Sequence, residues 1–542
     1  MNTISIVSFI TATAAVAVFT YILVGRMKKS KSATEEYFTG GRALTWPMVA
    51  GSLLLTNLST EQLVGLNGDV FGDKAMVGVA WEALAAFAMI ATALVFLPTY
   101  LASGFTTTPA FLEKRFDKTT RSMVSGLFLF GYVTVLLPVV LYTGSLALIT
   151  MFGLNMPFYI VVAIIGVLGS SYAIFGGLKS VAVSDTLNGI GLLIGGLAIP
   201  FLALAALGGG SFFEGLATLG RDNPQYLAVL AQENIDGKTV TVPWPTLFTG
   251  MMFIQVFYWS TNQVIVQRAM AARSLAEGQK GVLFASGMKL LGPIMLCLPG
   301  IIALHMPDLN IGKQDQVYGA VVRHVLPDWS LGLFAAVLVG SILSSFNSAL
   351  NSASTLFSLQ FYRGYFNPSA SGEETVKIGK YFGILLAVAS ILIAPLLAQM
   401  ESIFQYLQKV NGLYSVPIIG IFLLGITTKH VPALAAKIGM IVGILFYSFF
   451  TFVNIKDVIP FFANTDGDLH WLHGYFISFL ASIGVMLIIG HLAPKTEEEI
   501  AVSEEKTPAP VDMTPWPLAK KVSVGIFSAT VAIYFLLTWA AS

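Results

Sequence analysis

Thr56-Asn57-Leu58-Ser59-Thr60-Glu61-Gln62 interrupts an apolar run, with Leu53, Leu54 and Leu55 before it and Leu63, Val64 and Leu66 after it. Polar residues in such company form either a solvated loop between two short helices or a helix that unwinds inside a membrane. The tight apolar flanks favour the second. Unwound backbone at membrane depth is tolerated only where it lines a cavity or is buried in protein, and its freed carbonyls suit a hard cation. A second apolar run carries Gln255, Tyr258, Trp259, Thr261, Asn262 and Gln263 in its interior.

The rest of the chain supports a membrane setting. Of its 542 residues 55% are hydrophobic and 11% charged, and the mean hydropathy is +0.77, well outside the range of soluble domains. With a helix needing about 20 apolar residues to span a bilayer, the sequence predicts about fourteen spans, near 4–25, 46–70, 76–100, 122–152, 157–176, 181–208, 244–270, 280–304, 330–362, 376–399, 402–427, 432–453, 470–491 and 521–540. The first run lacks a basic leader, is too long for the core of a signal peptide, and is followed by Arg26, Lys28, Lys29 and Lys31, so it reads as a retained helix. Lys114, Arg115, Lys118 and Arg121, then Lys179, then Arg268, Arg273 and Lys280, then Lys429 and Lys437 fall in alternate loops with that basic cluster. Those loops are expected in the cytoplasm and both chain ends on the outer side. The stretch 495–511 reads as a surface linker before the last helix. The two polar interiors fall five segments apart, the pattern of an inverted-repeat transporter whose site lies at mid-membrane between broken helices.

Ser341, Ser344 and Ser345 stand at i, i+3 and i+4 and share one helix face. Small residues at that spacing also serve helix packing. Their hydroxyls, with carbonyls freed elsewhere, would make an all-oxygen site for sodium. Glu61, Glu82, Asp185 and Lys289 are ionisable residues within or near spans, where each requires a partner or water. Gln62, Glu82, Lys289, Gln255 and Gln408 together offer many donors and acceptors with little net charge, chemistry suited to a neutral polyol. Tyr258, Trp259 and Phe404 are aromatic surfaces on which the C–H faces of a sugar stack, although membrane aromatics also pack as plain apolar groups. Cys297 is the one cysteine, which excludes an intrachain disulfide. The six histidines are scattered, which argues against a metal site or proton relay. No metalloprotease pair, nucleophile elbow, phosphate loop or kinase signature is present, so an enzyme is not expected.

Several short motifs in order resemble the solute:sodium symporter family, and within it the bacterial sodium/galactose branch related to the sodium/glucose cotransporters. They are Tyr37-Phe38 with Gly40-Gly41-Arg42, Asn57 through Gln62, Tyr172-Ala173-Ile174-Phe175-Gly176-Gly177-Leu178 leading to Asp185, Tyr258-Trp259, Asn262-Gln263, Gln267-Arg268, Ser344-Ser345, Asn351-Ser352 and Phe404-Gln405-Tyr406-Leu407-Gln408. The resemblance covers nearly the whole chain. It implies an all-α LeuT-like fold: a peripheral helix and basic loop (1–45), a first inverted repeat of five helices (46–208), an outer loop (209–243), a second repeat (244–427) and three peripheral helices with a cytoplasmic linker (428–542).

The resemblance also implies sodium as the co-transported ion, held by the carbonyls of Leu55, Leu58 and Ser341 and the hydroxyls of Ser344 and Ser345. Asp185 matches a family aspartate on the ion's exit path. Sugar ligands would map to Gln62, Glu82, Lys289 and Gln408, with Tyr258 as the inner aromatic gate and Leu66, Trp81 and Phe404 on the outer side. Asn57 and Gln255 complete the expected pocket. Three positions depart from the galactose branch: Gln255 replaces an asparagine, Ala85 replaces a serine, and Lys409 follows Gln408 where an acidic residue is expected. The reading is sodium-driven symport of a neutral sugar or polyol in a bacterial inner membrane. Its alternative is a symporter of the same fold for a carboxylate, an amino acid or a sialic acid. That alternative is ranked second because no arginine is expected at mid-membrane, with Arg268 placed near a cytoplasmic helix end. A membrane sensor or enzyme ranks below both.

Overall fold

Apolar residues on every face, punctuated by proline and polar breaks, make long helices that stop abruptly, and that is the architecture of the computed structural model. It describes residues 3–26, 40–105, 107–400, 402–453, 469–504, 509 and 511–541, with backbone alone at 40, 171–179 and 502–504. Tyr37-Phe38 of the first motif lies outside the described residues, and the motif from Tyr172 to Leu178 enters with its backbone only. Among the described residues there is no strand, only isolated bridges such as Leu44 with Ala272 and Ser274 with Asp512.

The helices used below are α1 Thr3–Gly25, α2 Trp46–Asn57, α3 Thr60–Asp73, α4 Val79–Ala91, α5 Phe158–Leu207, α6 Gly250–Ser260, α7 Gln263–Met270, α8 Leu275–Lys289, α9 Asp328–Leu356 and α10 Ile403–Thr427. Among the described residues ten helices are long and apolar enough to cross a membrane, and a pair bent by 50°, Leu275–Lys289 with Gly292–Ala303, makes an eleventh. The difference from fourteen has a physical cause. Two predicted spans are broken into the short pairs α2/α3 and α6/α7, and a third, Phe158–Ser170, is too short to pass by itself. The cytoplasmic loop expected around Lys179 is instead helical, within α5. That helical run cannot be straight: a β-carbon built on Gly169 would meet Phe346 of α9 and one on Gly340 of α9 would meet Asn188. Those two α9 positions lie only about 9 Å apart along their helix.

Burial separates core from periphery. The most apolar window of Asp328–Phe366 is 67% buried, whereas those of Thr3–Gly25 and Ala519–Ala541 are 6% and 11% buried. The end helices therefore lie on the outside of a bundle in which α2 and α3 contact α5, α9 and α10. Gly51 permits one of these contacts, since a β-carbon there would lie 2.8 Å from the Thr186 backbone on α5.

Candidate functional site

The first break is built by its own hydrogen bonds. Leu58 (φ −74°, ψ 64°) and extended Ser59 (φ −109°, ψ −177°) leave the helical geometry. Ser59 N–H turns to the carbonyl of Asn57 at 2.8 Å, so the Leu55 carbonyl loses its usual acceptor role four residues back. The last carbonyls of a helix need outside partners, and α9 supplies them. Ser341 Oγ donates to the Leu58 carbonyl at 3.2 Å and Ser345 Oγ to the Thr56 carbonyl at 3.3 Å. Ser344 Oγ is buried on the side of Asp185. Of the predicted oxygens, those of Ser341, Ser345 and Leu58 are brought to the break by these two bonds, with two differences from the expected set. Ser341 meets the break through its hydroxyl, and the Thr56 carbonyl belongs to the cluster although the sequence reading passed over it. The donors are all oxygen and gather at a helix C-terminus, chemistry that fits a hard monovalent cation.

Below this cluster a polar chain runs through the bundle. Ser52 Oγ donates to Asp185 Oδ2 at 2.7 Å and receives Arg268 Nε at 3.0 Å. Arg268 also donates to Ser348 Oγ and to the Val264 carbonyl, and the Ser348 and Thr56 hydroxyls stand 3.4 Å apart. Asp185 and Arg268 are both 0% exposed. Arg268 stands in the last turn of α7, as the helix-end expectation has it, but this corrects its placement in a loop: it is wholly buried, with each guanidinium nitrogen donating to protein. The sequence signal for Ser348 was present, because Ser341, Ser345, Ser348 and Ser352 continue one face of α9. Ser52 carried no such signal.

The second polar interior is also a break. Thr261 and Asn262 separate α6 from α7; Asn262 Oδ1 caps Val264 N–H at 3.1 Å and accepts the Tyr132 hydroxyl at 2.8 Å.

Beside the oxygen cluster lie the residues expected to meet the solute. Lys289 Nζ forms an ion pair with Glu82 and donates to Asn57 Oδ1, and the two charged groups are 0% and 1% exposed. Each is the other's partner, so they are one neutral unit and not two free charges. Lys289 also stands 5.6 Å over the Trp259 ring. Gln255 Nε2 is engaged on the Trp81 carbonyl at 2.7 Å, whereas Gln62 Oε1 and Trp81 Nε1 are buried without partners. Trp81 and Phe404 meet edge to face at 5.2 Å between ring centres, and Phe404 also packs on Gly65 of α3. Gln408 is buried one turn further along α10 from Phe404, on the same face and towards the break. Leu66 is fully buried, and Tyr258 is partly exposed beside Trp259. Ala85 is buried one turn beyond Glu82 and offers no hydroxyl. Lys409 is exposed, so that departure points away from the pocket.

An all-helical membrane bundle with two broken helices, one of them braced by serines from a helix opposite, is the architecture of an ion-coupled secondary transporter. The family model described as the sodium:solute symporter family matches residues 37–443, and the chain belongs to that family. It is a multi-pass membrane transporter, not an enzyme, and sodium is its co-transported ion. It is 40% identical to an uncharacterized symporter, YidK, of Escherichia coli K12, over 98% of this chain and 91% of the relative. It is 31% identical to the sodium/glucose cotransporter of Vibrio parahaemolyticus, over 82% and 85%, and 28% identical to human sodium/myo-inositol cotransporter 2, over 90% and 79%. Among solved structures it is similar to a substrate-bound, outward-open Na+-coupled sialic acid symporter, with a TM-score of 0.75 at 20% identity over 91% and 99% of the two chains. It is also similar to the nucleobase-cation-symport-1 transporter Mhp1 in a closed conformation, with a TM-score of 0.53 at 14% identity over 88% and 99%. These likenesses carry the LeuT-like fold with its two inverted repeats.

Proposed function

We propose that this protein couples sodium entry to uptake of a neutral, hydroxyl-rich solute, a sugar or polyol of the galactose or glucose type, across a bacterial inner membrane with both chain ends on the outer side. The observation that carries the reading is the buried Lys289–Glu82 pair with Asn57 at its side. It offers donors and acceptors without net charge, beneath the aromatic cover of Trp81 and Phe404. Gln62 and Gln408 add amide groups. The names of the sodium/glucose and sodium/myo-inositol relatives agree with a hydroxylated solute.

In the cycle we infer, sodium binds first from outside at Leu55, Leu58, Ser341, Ser344 and Ser345, joining α2 to α9. Solute then enters between the repeats 46–208 and 244–427, with Tyr258 closing the inner side and Leu66, Trp81 and Phe404 the outer. Each ligand favours the occluded state, so their affinities are linked reciprocally. Sodium leaves past Asp185. An anionic solute, the second reading, calls for a fixed cation in the pocket, and Arg268 is committed to Ser52, Ser348 and Val264. Uptake of labelled sugar into sealed proteoliposomes, with sodium or potassium outside, tests the proposal; competition by unlabelled sugars but not by carboxylates or sialic acid is the expected result. Uptake indifferent to sodium, or blocked by a carboxylate alone, would overturn it.

A further inference from the structure

At the outer end of α3, far from the cation cluster, the carboxylate of Asp69 is 1% exposed and accepts three side-chain hydrogen bonds. Two come from the start of α10, Ser402 Oγ at 2.8 Å and Gln405 Nε2 at 2.8 Å. The third comes from Gln314 Nε2 at 3.3 Å, in the short outer helix Gln314–Gln316. Asp315, next to Gln314, takes the backbone N–H of Ile403. Ser402, Ile403 and Gln405 are therefore all held by two carboxylates, and the residue among them is Phe404, whose ring covers Trp81. The helix start does not need Asp69 for its own capping, because Ser402 Oγ already accepts Gln405 N–H at 3.1 Å. What Asp69 adds is a link between helices. The fit around it is close: a β-carbon on Gly68 would lie 2.9 Å from the Gln314 carbonyl, and one on Gly72 2.5 Å from Gln314 Oε1.

We propose that Asp69 is a positioning residue, an outer latch that holds the first turn of α10 against α3 with Phe404 over the pocket, and that it is released each time the outer face opens. The proposal rests on the reading that Trp81 and Phe404 are the outer cover of the solute site. A contact between two apolar rings slides at little cost, whereas hydrogen bonds to a carboxylate are directional and stronger. The latch makes closure of the cover a discrete event.

The test uses the full-length protein in proteoliposomes with Cys297→Ser, so that a reporter Leu66→Cys is the one thiol. Leu66, itself a member of the outer cover in that reading, is 0% exposed. A membrane-impermeant maleimide is applied from the outside in sodium buffer without solute. Asp69→Ala is expected to speed labelling about tenfold, the loss of one to two charge-assisted hydrogen bonds. Asp69→Asn, which keeps an acceptor oxygen, returns the rate towards that of the parent. Combining Asp69→Ala with Gln405→Ala gives no more than Asp69→Ala alone, because both break one link. Should Asp69→Ala fail to fold, Ser402→Ala with Gln405→Ala removes the same link from the other side and is expected to speed labelling likewise. Unchanged labelling in the folded variants, or strictly additive effects of Asp69→Ala and Gln405→Ala, overturns the latch. Labelling needs no solute, so a fast-labelling variant of a protein that takes up no sugar would keep the latch and reject the solute assignment.

Discussion

The hydroxyl of Ser345 donates to the Thr56 carbonyl at 3.3 Å, across the interface between α9 and the end of α2. It is a side-chain contact to main chain made possible by the helix break, and in the proposed cycle the Ser345 oxygen turns its lone pairs to a sodium ion while keeping its proton. Ser345→Ala is expected to raise the sodium concentration for half-maximal uptake about tenfold, as for loss of one oxygen contact to a charged ligand. The fold is expected to persist, since only one buried hydroxyl is removed and the β-carbon stays. Initial uptake rates against sodium concentration measure this, and an unchanged sodium dependence would remove Ser345 from the site.

The Lys289–Glu82 pair separates stability from transport. Lys289→Ala leaves Glu82 buried without its counter-charge, a loss of about 3–5 kcal/mol. Replacing both members, as Glu82→Gln with Lys289→Met, is expected to recover most of that stability while uptake stays abolished. Thermal unfolding in detergent alongside uptake assays distinguishes the two effects. A double variant that transports would contradict the assignment.

Gly65 offers a steric test of the cover. A β-carbon there would lie 2.5 Å from the Phe404 β-carbon, so Gly65→Ala pushes α10 away from α3. Overpacking of this kind costs about 1–3 kcal/mol, and uptake is expected to fall several-fold. Adding Phe404→Gly, which removes the clashing β-carbon, is expected to recover part of the melting temperature but not uptake. If the single variant transports normally, the contact is not needed for closure.

Asp315 predicts a pH dependence. Burial pushes its carboxyl up from 3.8 to about 7, the negative charge of Asp69 adds to the rise, and the Ile403 N–H opposes it. A carboxyl whose folded-state value is raised contributes stability that is present at low pH and lost as pH rises through that value. The melting temperature is therefore expected to fall as pH rises from about 4 to about 7 and to level off above that. In Asp315→Asn the drop is expected to be smaller. An identical slope in both proteins would show that Asp315 does not titrate in this range.

What could be read from the sequence followed from local pattern. The polar residues 56–62 between leucines announced the first break, the polar residues between Gln255 and Gln263 the second, and the i, i+3, i+4 serines the face that meets the first. Hydropathy alone could not tell a broken span from a whole one, which is why fewer helices qualify by length than the sequence predicts. Arg268 stands near a helix end as expected, but its burial was not legible, because a charge count treats every arginine as solvated and its partners Ser52 and Ser348 come from other helices. The pairing of Glu82 with Lys289 was invisible for the same reason: both charges were legible, but not that they neutralise each other. The role we give Asp69 depends on Gln314, Ser402 and Gln405, which only the fold brings together.

The two-residue interruption at Leu58 and Ser59 turns one membrane span into two short dipoles joined head to tail. The carbonyl end of α2 carries about half a negative elementary charge and the amide end of α3 about half a positive one, a few ångströms from each other at the middle of the protein. A positive ion and the electron-rich oxygens of a solute are thereby drawn to opposite sides of the same gap. A single continuous helix would cancel that field internally and offer neither.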